Sequence, residues 1–445
     1  MKLARKKIVF IGGGSLYFES VTAELATTEG LPPLEIVFYD IDPKRNDLMY
    51  RIGCRIAGIT GADITLSKTG ELPRAIDGAA FAVASVGVHG PKRQWHLTDS
   101  RVAAKFGIIT TTGDTIGPSG ISQGLRLIPI MVNIARQMER YCPDCVILNH
   151  SNPMGAVVRA VQKYTPINII GYCHNTASAQ RLFARTLGVD KSELDLRIGG
   201  VNHMVWLLDI LHKGKSVYDA LKKKLNNLNP EALGHNRFAL DVCNVLGLFP
   251  IGGDRHIIEF FPHARAVSKT KNLHYNMLWR ADMIQGKLLD GEISKKTASP
   301  EDKAAGRADV WIPKPGEMSP EAMGVQIRTL LYGPEKVHFI TTRNNGAIGN
   351  LPDWAAIELN AVIGQGGARA VTVGDMPPEA ARWTLQHIYE NELIIEAAVE
   401  GSRAKALKAM ACDPMIRDFH EAVKVLDALV AAHGQRLRCF KRSTK

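Results

Sequence analysis

The first apolar segment of the chain runs directly into three consecutive glycines. Residues 7–11 are mostly apolar and residues 12–14 are all glycine, which predicts a buried strand followed by a tight turn. Glycine has no side chain, so the backbone of this turn can approach a phosphate closely and present a helix N-terminus to it. Tyr17 stands where the dinucleotide-binding fingerprint has its third glycine. The turn therefore indicates a nucleotide site, with a purely structural glycine turn as the alternative.

Two further predicted strands carry polar residues near their ends. Residues 35–39 lead into Asp40, and residues 80–86 include Ser85. An acidic side chain after the second strand can accept hydrogen bonds from ribose hydroxyls and repels a 2′-phosphate, so it favours NAD over NADP. The residues that the sequence predicts to bind NAD are Gly12, Gly14, Ser15, Asp40 and Ser85.

The following part of the chain alternates between strand and helix patterns. Strands are predicted over residues 146–149 and 167–173, and helices over residues 120–141 and 154–163. Strands that alternate with helices form parallel, doubly wound sheets. The sequence therefore predicts an α/β fold whose first domain, residues 1–195, is a Rossmann-like NAD-binding unit.

The pattern changes after residue 191. Paired β-structure is predicted over residues 197–208, and long helices over residues 378–406 and 414–433. These elements indicate a second, mixed α+β domain for catalysis and oligomerisation, residues 196–445. Between residues 286 and 320 lies a charged segment with little periodicity, which predicts a mobile loop or an oligomer contact.

Composition excludes several classes of protein. No run of about 18 apolar residues is present, and the N-terminal segment lacks the features of a secretion signal, so a soluble, cytoplasmic protein without a membrane segment is expected. The net charge of +11 is dispersed and no recognition module accompanies it, so nucleic-acid binding is not expected. This charge is compatible with an anionic small substrate or with a generally basic surface.

Several predicted strands end in polar residues that suit a metal and a sugar. Polar blocks occupy residues 149–153, 171–175 and 200–204, and ligands bind at strand ends in open α/β sheets. Cys173 and His203 are a suitable pair of ligands for a divalent transition metal. Taken singly, a cysteine such as Cys173 is more often an inert buried thiol, and a histidine such as His203 is more often a hydrogen-bonded core residue.

The ordered set of these blocks resembles glycoside hydrolase family 4 over nearly the whole chain. The blocks that carry the resemblance are residues 12–15, 40–42, 113–118, 149–153, 173–174, 202–203 and 345–352. Enzymes of this family are exceptions to the two-carboxylate scheme of most glycosidases. The resemblance implies a fold similar to lactate and malate dehydrogenases, an NAD cofactor, and a divalent metal, usually manganese, bound by Cys173 and His203.

The resemblance also implies a redox-assisted elimination. The sugar is oxidised at C3, a base removes the acidified C2 proton with help from the metal, the aglycone leaves, water adds, and C3 is reduced again. Asp254 corresponds to the region that supplies the base, although some members use tyrosine and a solvated turn aspartate is the alternative. His174 is the candidate acid for the leaving group or a ligand of a sugar hydroxyl.

Three further residues are candidates for sugar binding. Asn152 and Asn202 carry amides that can donate to and accept from adjacent hydroxyls. Asp114 could bind a hydroxyl in the same way, or it could cap the following helix. A homodimer or homotetramer is the family-like expectation.

His174, the residue after the predicted metal ligand Cys173, gives information on whether the substrate is phosphorylated. By resemblance, a histidine at the position of His174 goes with sugars that are not phosphorylated at O6. Residues 113–118 and 253–256 are similar to the uronidase-like members, which favours an α-glucuronide or α-galacturonide. The alternatives are a neutral α-glucoside or α-galactoside cleaved by the same mechanism, an NAD-dependent hydroxy-acid or sugar dehydrogenase, and a DNA-binding or nucleotide-sensing regulator.

Overall fold

The computed structural model describes residues 4–88, 90, 93–108, 110–263, 298–314, 317 and 322–441. The strands are β1 (Lys6–Ile11), β2 (Leu34–Tyr39), β3 (Ile64–Thr69), β4 (Phe81–Ala84), β5 (Val146–Asn149), β6 (Asn168–Gly171), β7 (Leu194–Val201), β8 (Met204–His212), β9 (Lys215–Ser216), β10 (Phe249–Ile251), β11 (Lys336–Arg343), β12 (Ala356–Gly364) and β13 (Gly367–Ala370).

Helices precede, separate and follow these strands. They are α1 (Tyr17–Thr27), α2 (Pro43–Thr60), α3 (Leu72–Ile76), α4 (Gln94–Lys105), α5 (Gly117–Tyr141), α6 (Met154–Tyr164), α7 (Asn175–Leu187), α8 (Tyr218–Asn226), α9 (Pro230–Leu233), α10 (Arg237–Leu246), α11 (Asp254–Phe260), α12 (Pro300–Ala304), α13 (Met323–Tyr332), α14 (Pro378–Glu400), α15 (Arg403–Cys412) and α16 (Phe419–His433), with 3₁₀ turns at Lys191–Glu193 and Gly434–Phe440.

A single sheet joins all the described strands. Its first half has the order β3-β2-β1-β4-β5-β6, and every neighbouring pair in it is parallel. This is the strand order of a dinucleotide-binding Rossmann fold, so the predicted α/β class is confirmed. Beyond β6 the sheet continues through β11, β12, β7, β8 and β10 with antiparallel pairing. The antiparallel half supplies the mixed α+β part that the sequence indicated.

Strand β1 shows why the parallel half requires helices on both faces. Ile8 and Phe10 belong to one hydrophobic cluster, and Val9 and Ile11 belong to another on the opposite face. All four side chains are buried, so the alternating sides of the strand both lie in the interior. The sequence of a strand that is buried on both faces is a continuous apolar run, without alternation of apolar and polar residues. The apolar run before the glycines is therefore explained by its central place in the sheet.

The proposed division of the chain near residue 195 stays a prediction. The sheet is continuous across this position, because β12 pairs with β7 on one side and with β11 on the other. One hydrophobic cluster also contains both Ile8 and Ile357. Among the described helices, none is both long enough and apolar enough to cross a membrane.

One predicted helix is in fact two. The pattern over residues 378–406 predicts a single helix, but α14 ends at Glu400. Gly401 adopts φ +67, a left-handed conformation that glycine tolerates and that ends a helix. Ser402 then caps α15, because its side chain accepts a hydrogen bond from the Lys405 amide. The expectation of one continuous helix is wrong for this local reason.

The predicted loop or contact segment over residues 286–320 falls partly outside the described residues. Its described part, residues 298–314 and 317, contains the short helix α12, which packs against the nucleotide-binding half. The Lys303 ammonium lies 2.7 Å from the Glu19 carboxylate, and the Trp311 amide donates to the same carboxylate at 2.9 Å.

Candidate active site

A cavity of about 310 Å³ opens at the carboxyl edge of the parallel strands. The strand ends contribute Ser85, His150 and Cys173, and the antiparallel half contributes His203 from the turn between β7 and β8. The start of helix α11 completes the wall with His256. The cavity therefore lies where ligands bind in open α/β sheets.

The glycine turn after β1 has no room for side chains. A Cβ on Gly12 would lie 2.5 Å from the carbonyl oxygen of Ser85, and Gly12 itself adopts φ +81. A Cβ on Gly14 would lie 2.7 Å from that of Arg45 and 2.9 Å from an oxygen of Asp40. Glycine is required here because β4 and α2 approach the turn so closely.

The five residues predicted to bind the cofactor lie together. One carboxylate oxygen of Asp40 accepts a hydrogen bond from the Gly14 amide at 2.8 Å, which fixes the acid at the end of β2. The hydroxyl of Ser15 lies 2.9 Å from that of Ser85, so the first and third of the predicted strand ends meet. The role of these residues in holding NAD stays a prediction, which this geometry supports.

Three side chains in the cavity can hold a metal ion. Asp114, His203 and His256 offer ligand atoms that all lie within 4.8 Å of one another. The two imidazole rings stack with centroids 3.7 Å apart, and each ring has a nitrogen within 3.8 Å of the Asp114 carboxylate. Cys173 lines the same cavity, so the structure brings the predicted pair Cys173 and His203 to one site.

The sequence does not single out His256, and it indicates Asp114 for the sugar or for a helix cap rather than for a metal. Ile116, not Asp114, is the N-cap residue of α5. Asp114 lines the cavity and accepts from the Asn152 amide at 3.1 Å, so sugar binding by Asp114 stays a prediction. A weak signal existed, because His256 and Glu259 are three residues apart and so share one face of α11. Only the tertiary structure shows which groups that face meets.

Glu259 fixes the loop that carries Asp114. Its buried carboxylate accepts hydrogen bonds from the amides of Thr111 and Thr112 at 2.7 Å and from Gly113 at 2.9 Å. Burial raises the pKa of Glu259 to about 8, and these backbone donors oppose the shift. The loop before α5 and helix α11 are therefore tied together beside the metal cluster.

His203 is held in one orientation by its surroundings. Its Nδ1 lies 2.6 Å from the hydroxyl of Thr115, and its backbone adopts φ +73, which is uncommon outside glycine. Gly252 passes directly behind it, because a Cβ on Gly252 would lie 2.1 Å from the His203 carbonyl oxygen. Burial lowers the pKa of His203 to about 4, so the ring is neutral near pH 7, as a metal ligand must be.

Asp254 does not line the cavity. One of its oxygens accepts from the Arg237 amide at 2.8 Å and the other from the Ala239 amide at 3.0 Å, so the carboxylate caps helix α10. Burial, the largest cause, raises the pKa of Asp254 to about 6. These contacts account for the residue without chemistry, and the cavity gives no support to the prediction that Asp254 is the base.

The remaining candidates divide between the cavity wall and the interior. His174 lines the cavity, and its Nε2 lies 3.2 Å from the guanidinium of Arg255. Asn152 also lines the cavity. Asn202 is 2% exposed and is not in the cavity wall; its amide donates to Glu358 at 2.8 Å. The structure therefore supports His174 and Asn152 as candidates for contact with a sugar more directly than Asn202.

The fold and the cavity define a dinucleotide-binding α/β protein with a candidate metal cluster. The family model for family 4 glycosyl hydrolases matches residues 7–189, and the model for their C-terminal domain matches residues 198–416. The chain belongs to glycosyl hydrolase family 4, and it is therefore a glycosidase. The resemblance found from the sequence blocks is confirmed.

Relatives of known name differ in the sugar they act on. The chain is 26% identical to an α-galactosidase of Bacillus subtilis (strain 168), over 98% of this chain and 100% of the relative. It is 25% identical to an α-galacturonidase of Lachnoclostridium phytofermentans, over 97% and 96% of the two chains. These identities are nearly equal, so they do not choose between a neutral sugar and a uronic acid.

Solved structures confirm the fold. A 6-phospho-α-glucosidase from gut microorganisms, in complex with NAD and Mn²⁺, matches with a TM-score of 0.81 at 22% identity, over 97% of this chain and 99% of that chain. Lactate dehydrogenase from Eimeria maxima matches with a TM-score of 0.55 at 15% identity, over 90% and 97% of the two chains. The expected likeness to lactate and malate dehydrogenases is confirmed.

The depressed pKa of His203 predicts a specific dependence of stability on pH. The folded pKa of about 4 lies below the ordinary 6.5, so the unfolded state binds the extra proton more readily between these values. Stability is full above about pH 6.5 and falls as the pH drops towards 4. The free energy of unfolding of metal-free wild type should therefore fall between pH 7 and pH 5. We expect this fall to be about 2 kcal/mol smaller in His203→Gln, because the variant lacks the titrating ring.

Urea unfolding of both proteins at the two pH values measures this difference. His420→Gln is the matched control, because His420 is an exposed imidazole that does not line the cavity. An equal loss in wild type and His203→Gln would show that His203 is not the buried neutral ring described above.

Proposed function

We propose that this glycosidase hydrolyses an α-linked, unphosphorylated uronide, a glucuronide or galacturonide, with NAD and a divalent metal. The observation that carries the proposal is the cavity itself. Cys173, Asp114, His203 and His256 line this cavity, which lies at the strand ends of a dinucleotide-binding sheet. A dehydrogenase without the metal cluster needs no such set of ligands, and the family assignment favours hydrolysis.

The residues present suit both cofactors. The side-chain-free turn at Gly12 and Gly14, with Asp40 held at the end of β2, leaves backbone open to a pyrophosphate and an acid for ribose hydroxyls. Cys173 and His203, with Asp114 and His256 beside them, offer sulfur, nitrogen and oxygen donors for a transition metal such as manganese. The related 6-phospho-α-glucosidase was solved with NAD and Mn²⁺.

When bound, NAD supplies a reversible hydride acceptor and the metal supplies a Lewis acid for the sugar hydroxyls. The side chains of the cavity provide the proton transfers and the orientation of the sugar. Asn152 can donate to and accept from a sugar hydroxyl. Arg255 can only donate, so Nε2 of His174 is the acceptor in this contact and Nδ1 is left to donate. His174 can then donate a hydrogen bond from Nδ1–H to the leaving oxygen and stabilise the charge that develops on it.

The base is proposed to be Tyr17 in place of Asp254. Tyr17 lines the cavity, and its hydroxyl lies 3.0 Å from Nε2 of His150, which also lines it. The imidazole can accept the phenolic proton, so the pair can take a proton from a carbon made acidic by an adjacent ketone. Asp254 would need to leave the cap of α10 and enter the cavity to do the same.

A uronide is proposed because the cavity carries excess positive charge. Arg93 and Arg255 line it, against the single carboxylate of Asp114 among the described lining residues. A guanidinium binds a carboxylate through paired hydrogen bonds, which suits C6 of a uronic acid. His174 follows Cys173 directly, which by family resemblance favours sugars without a 6-phosphate. A neutral α-galactoside is the second candidate, because one relative is an α-galactosidase.

A panel of nitrophenyl glycosides tests the proposed substrate. We expect the α-glucuronide or α-galacturonide to be cleaved with a kcat/KM about tenfold or more above the α-glucoside and α-galactoside. Cleavage should require both NAD and Mn²⁺, under reducing conditions that protect Cys173. Faster cleavage of the neutral glycosides would overturn the uronide assignment, and net NADH formation without sugar release would overturn hydrolysis.

Exchange of the C2 proton in D₂O tests the proposed base. We expect Tyr17→Phe to slow incorporation of deuterium at C2 of the product by a factor of about 10²–10⁴, because the general base is removed. Tyr389→Phe, an exposed tyrosine outside the cavity, is the matched control and should exchange like wild type. Exchange lost in Asp254→Asn and retained in Tyr17→Phe would return the role to Asp254.

A further inference from the structure

A second and larger cavity adjoins the candidate active site. Its volume is about 750 Å³, and it lies between helix α7 and the segment from Glu231 to Asn236. His174 and Arg255 line both cavities, so the two spaces share one wall. The size falls in the range of ligand sites, and its position next to the metal cluster makes it accessible to one end of a bound glycoside.

The larger cavity is strongly basic. Arg181 and Arg185, four residues apart on α7, line it together with Arg255, against one acidic residue, Glu231. Like charges at this spacing on a helix are destabilising by a few tenths of a kcal/mol. Such an arrangement is explained if an anion binds between the side chains.

Both arginines are exposed, and their side chains donate to neutral groups. The Arg181 guanidinium donates to the hydroxyl of Ser178 at 2.9 Å, and the Arg185 guanidinium donates to the carbonyl oxygen of Ala232 at 2.7 Å. Both partners are neutral. In the part of the chain that the structure describes, neither arginine forms an ion pair with a carboxylate. Their remaining N–H groups can therefore bind an external oxyanion.

The shared wall defines which part of the substrate enters each cavity. The sugar that reacts belongs in the smaller cavity, which holds the metal cluster. A group that donates a hydrogen bond to the leaving oxygen must stand between the sugar and the aglycone. His174 is in that position, because it lines both cavities. A glycoside whose bond lies beside His174 places its aglycone in the larger cavity.

We propose that the larger cavity is an aglycone subsite for a carboxylate, bound by Arg181 and Arg185. The carboxylate is that of a second uronic acid unit, so the preferred substrate is an acidic oligosaccharide rather than a uronide of a neutral alcohol. This inference rests on the proposed function for its choice of sugar. The basic cavity itself would serve an acidic aglycone on any sugar that the smaller cavity accepts.

Paired substrates separate the aglycone from the sugar. We would compare the 4-carboxyphenyl and 4-carbamoylphenyl α-galacturonides, and the same two α-galactosides, since each pair differs in the charge of the aglycone. The measured quantity is the ratio of kcat/KM for the carboxylate to that for the amide. We expect the double variant Arg181→Gln/Arg185→Gln to lower this ratio about tenfold or more, mainly through KM.

Arg136→Gln is the matched control. Arg136 is an exposed arginine on α5 that lines neither cavity, so its loss should leave the ratio at the wild-type value. The two phenols differ in their ability to leave, but this difference affects the ratio equally in wild type and variant. It therefore cancels when the ratios of the two proteins are compared for one sugar. An unchanged ratio in the double variant would overturn the subsite.

The design distinguishes this inference from the proposed substrate. Cleavage of the galactosides alone would contradict the uronide assignment, and their ratio would still decide whether the subsite exists. Calorimetric binding of digalacturonate gives a readout that needs no turnover. About tenfold weaker binding in the double variant, with the control unchanged, supports the subsite, whereas measurable and equal binding in all three proteins overturns it.

Discussion

The buried carboxylate of Glu259 holds together the two segments on which the candidate metal cluster depends. Three consecutive amides, from residues 111–113, donate to it, so the loop that carries Asp114 is tied to the helix that carries His256. A buried carboxylate is costly unless it is hydrogen-bonded, and this requirement fixes the loop in one position. The turn with His203 packs against the same place. Residues far apart in the chain thereby meet at the edge of the nucleotide-binding sheet.

The parallel half of the fold could be predicted because its signals are local. An apolar run, a glycine turn and an acid after the next strand all lie in the first forty residues, and β1 and β2 have the predicted places. The antiparallel half could not be predicted in the same way, since β12 pairs with β7 and β11 across long stretches of chain. The break between α14 and α15 depends on Gly401, whose left-handed φ the apolar periodicity does not reveal.

The site residues also fall into those that the sequence could predict and those that it could not. The nucleotide-turn residues and the pair Cys173 and His203 follow predicted strands or a hairpin, so the strand-end rule brings them to one edge. His256 and the clamp by Glu259 depend on the docking of α11 against a loop more than 140 residues earlier, which no spacing in the sequence encodes. Asp254 differs from them, because its place in a matching block indicates chemistry while its carboxylate accepts the amides of Arg237 and Ala239 at the start of α10.

We infer that one cluster, assembled from the loop with Asp114, the hairpin with His203 and helix α11 with His256, holds the metal. The most direct measurement is a titration with Mn²⁺, followed by the electron paramagnetic resonance signal of the free ion. We predict that His203→Gln and His256→Gln each weaken binding about tenfold or more, while exposed His420→Gln binds like wild type. Wild-type affinity in both cluster variants would contradict the account, because the metal would then be held elsewhere.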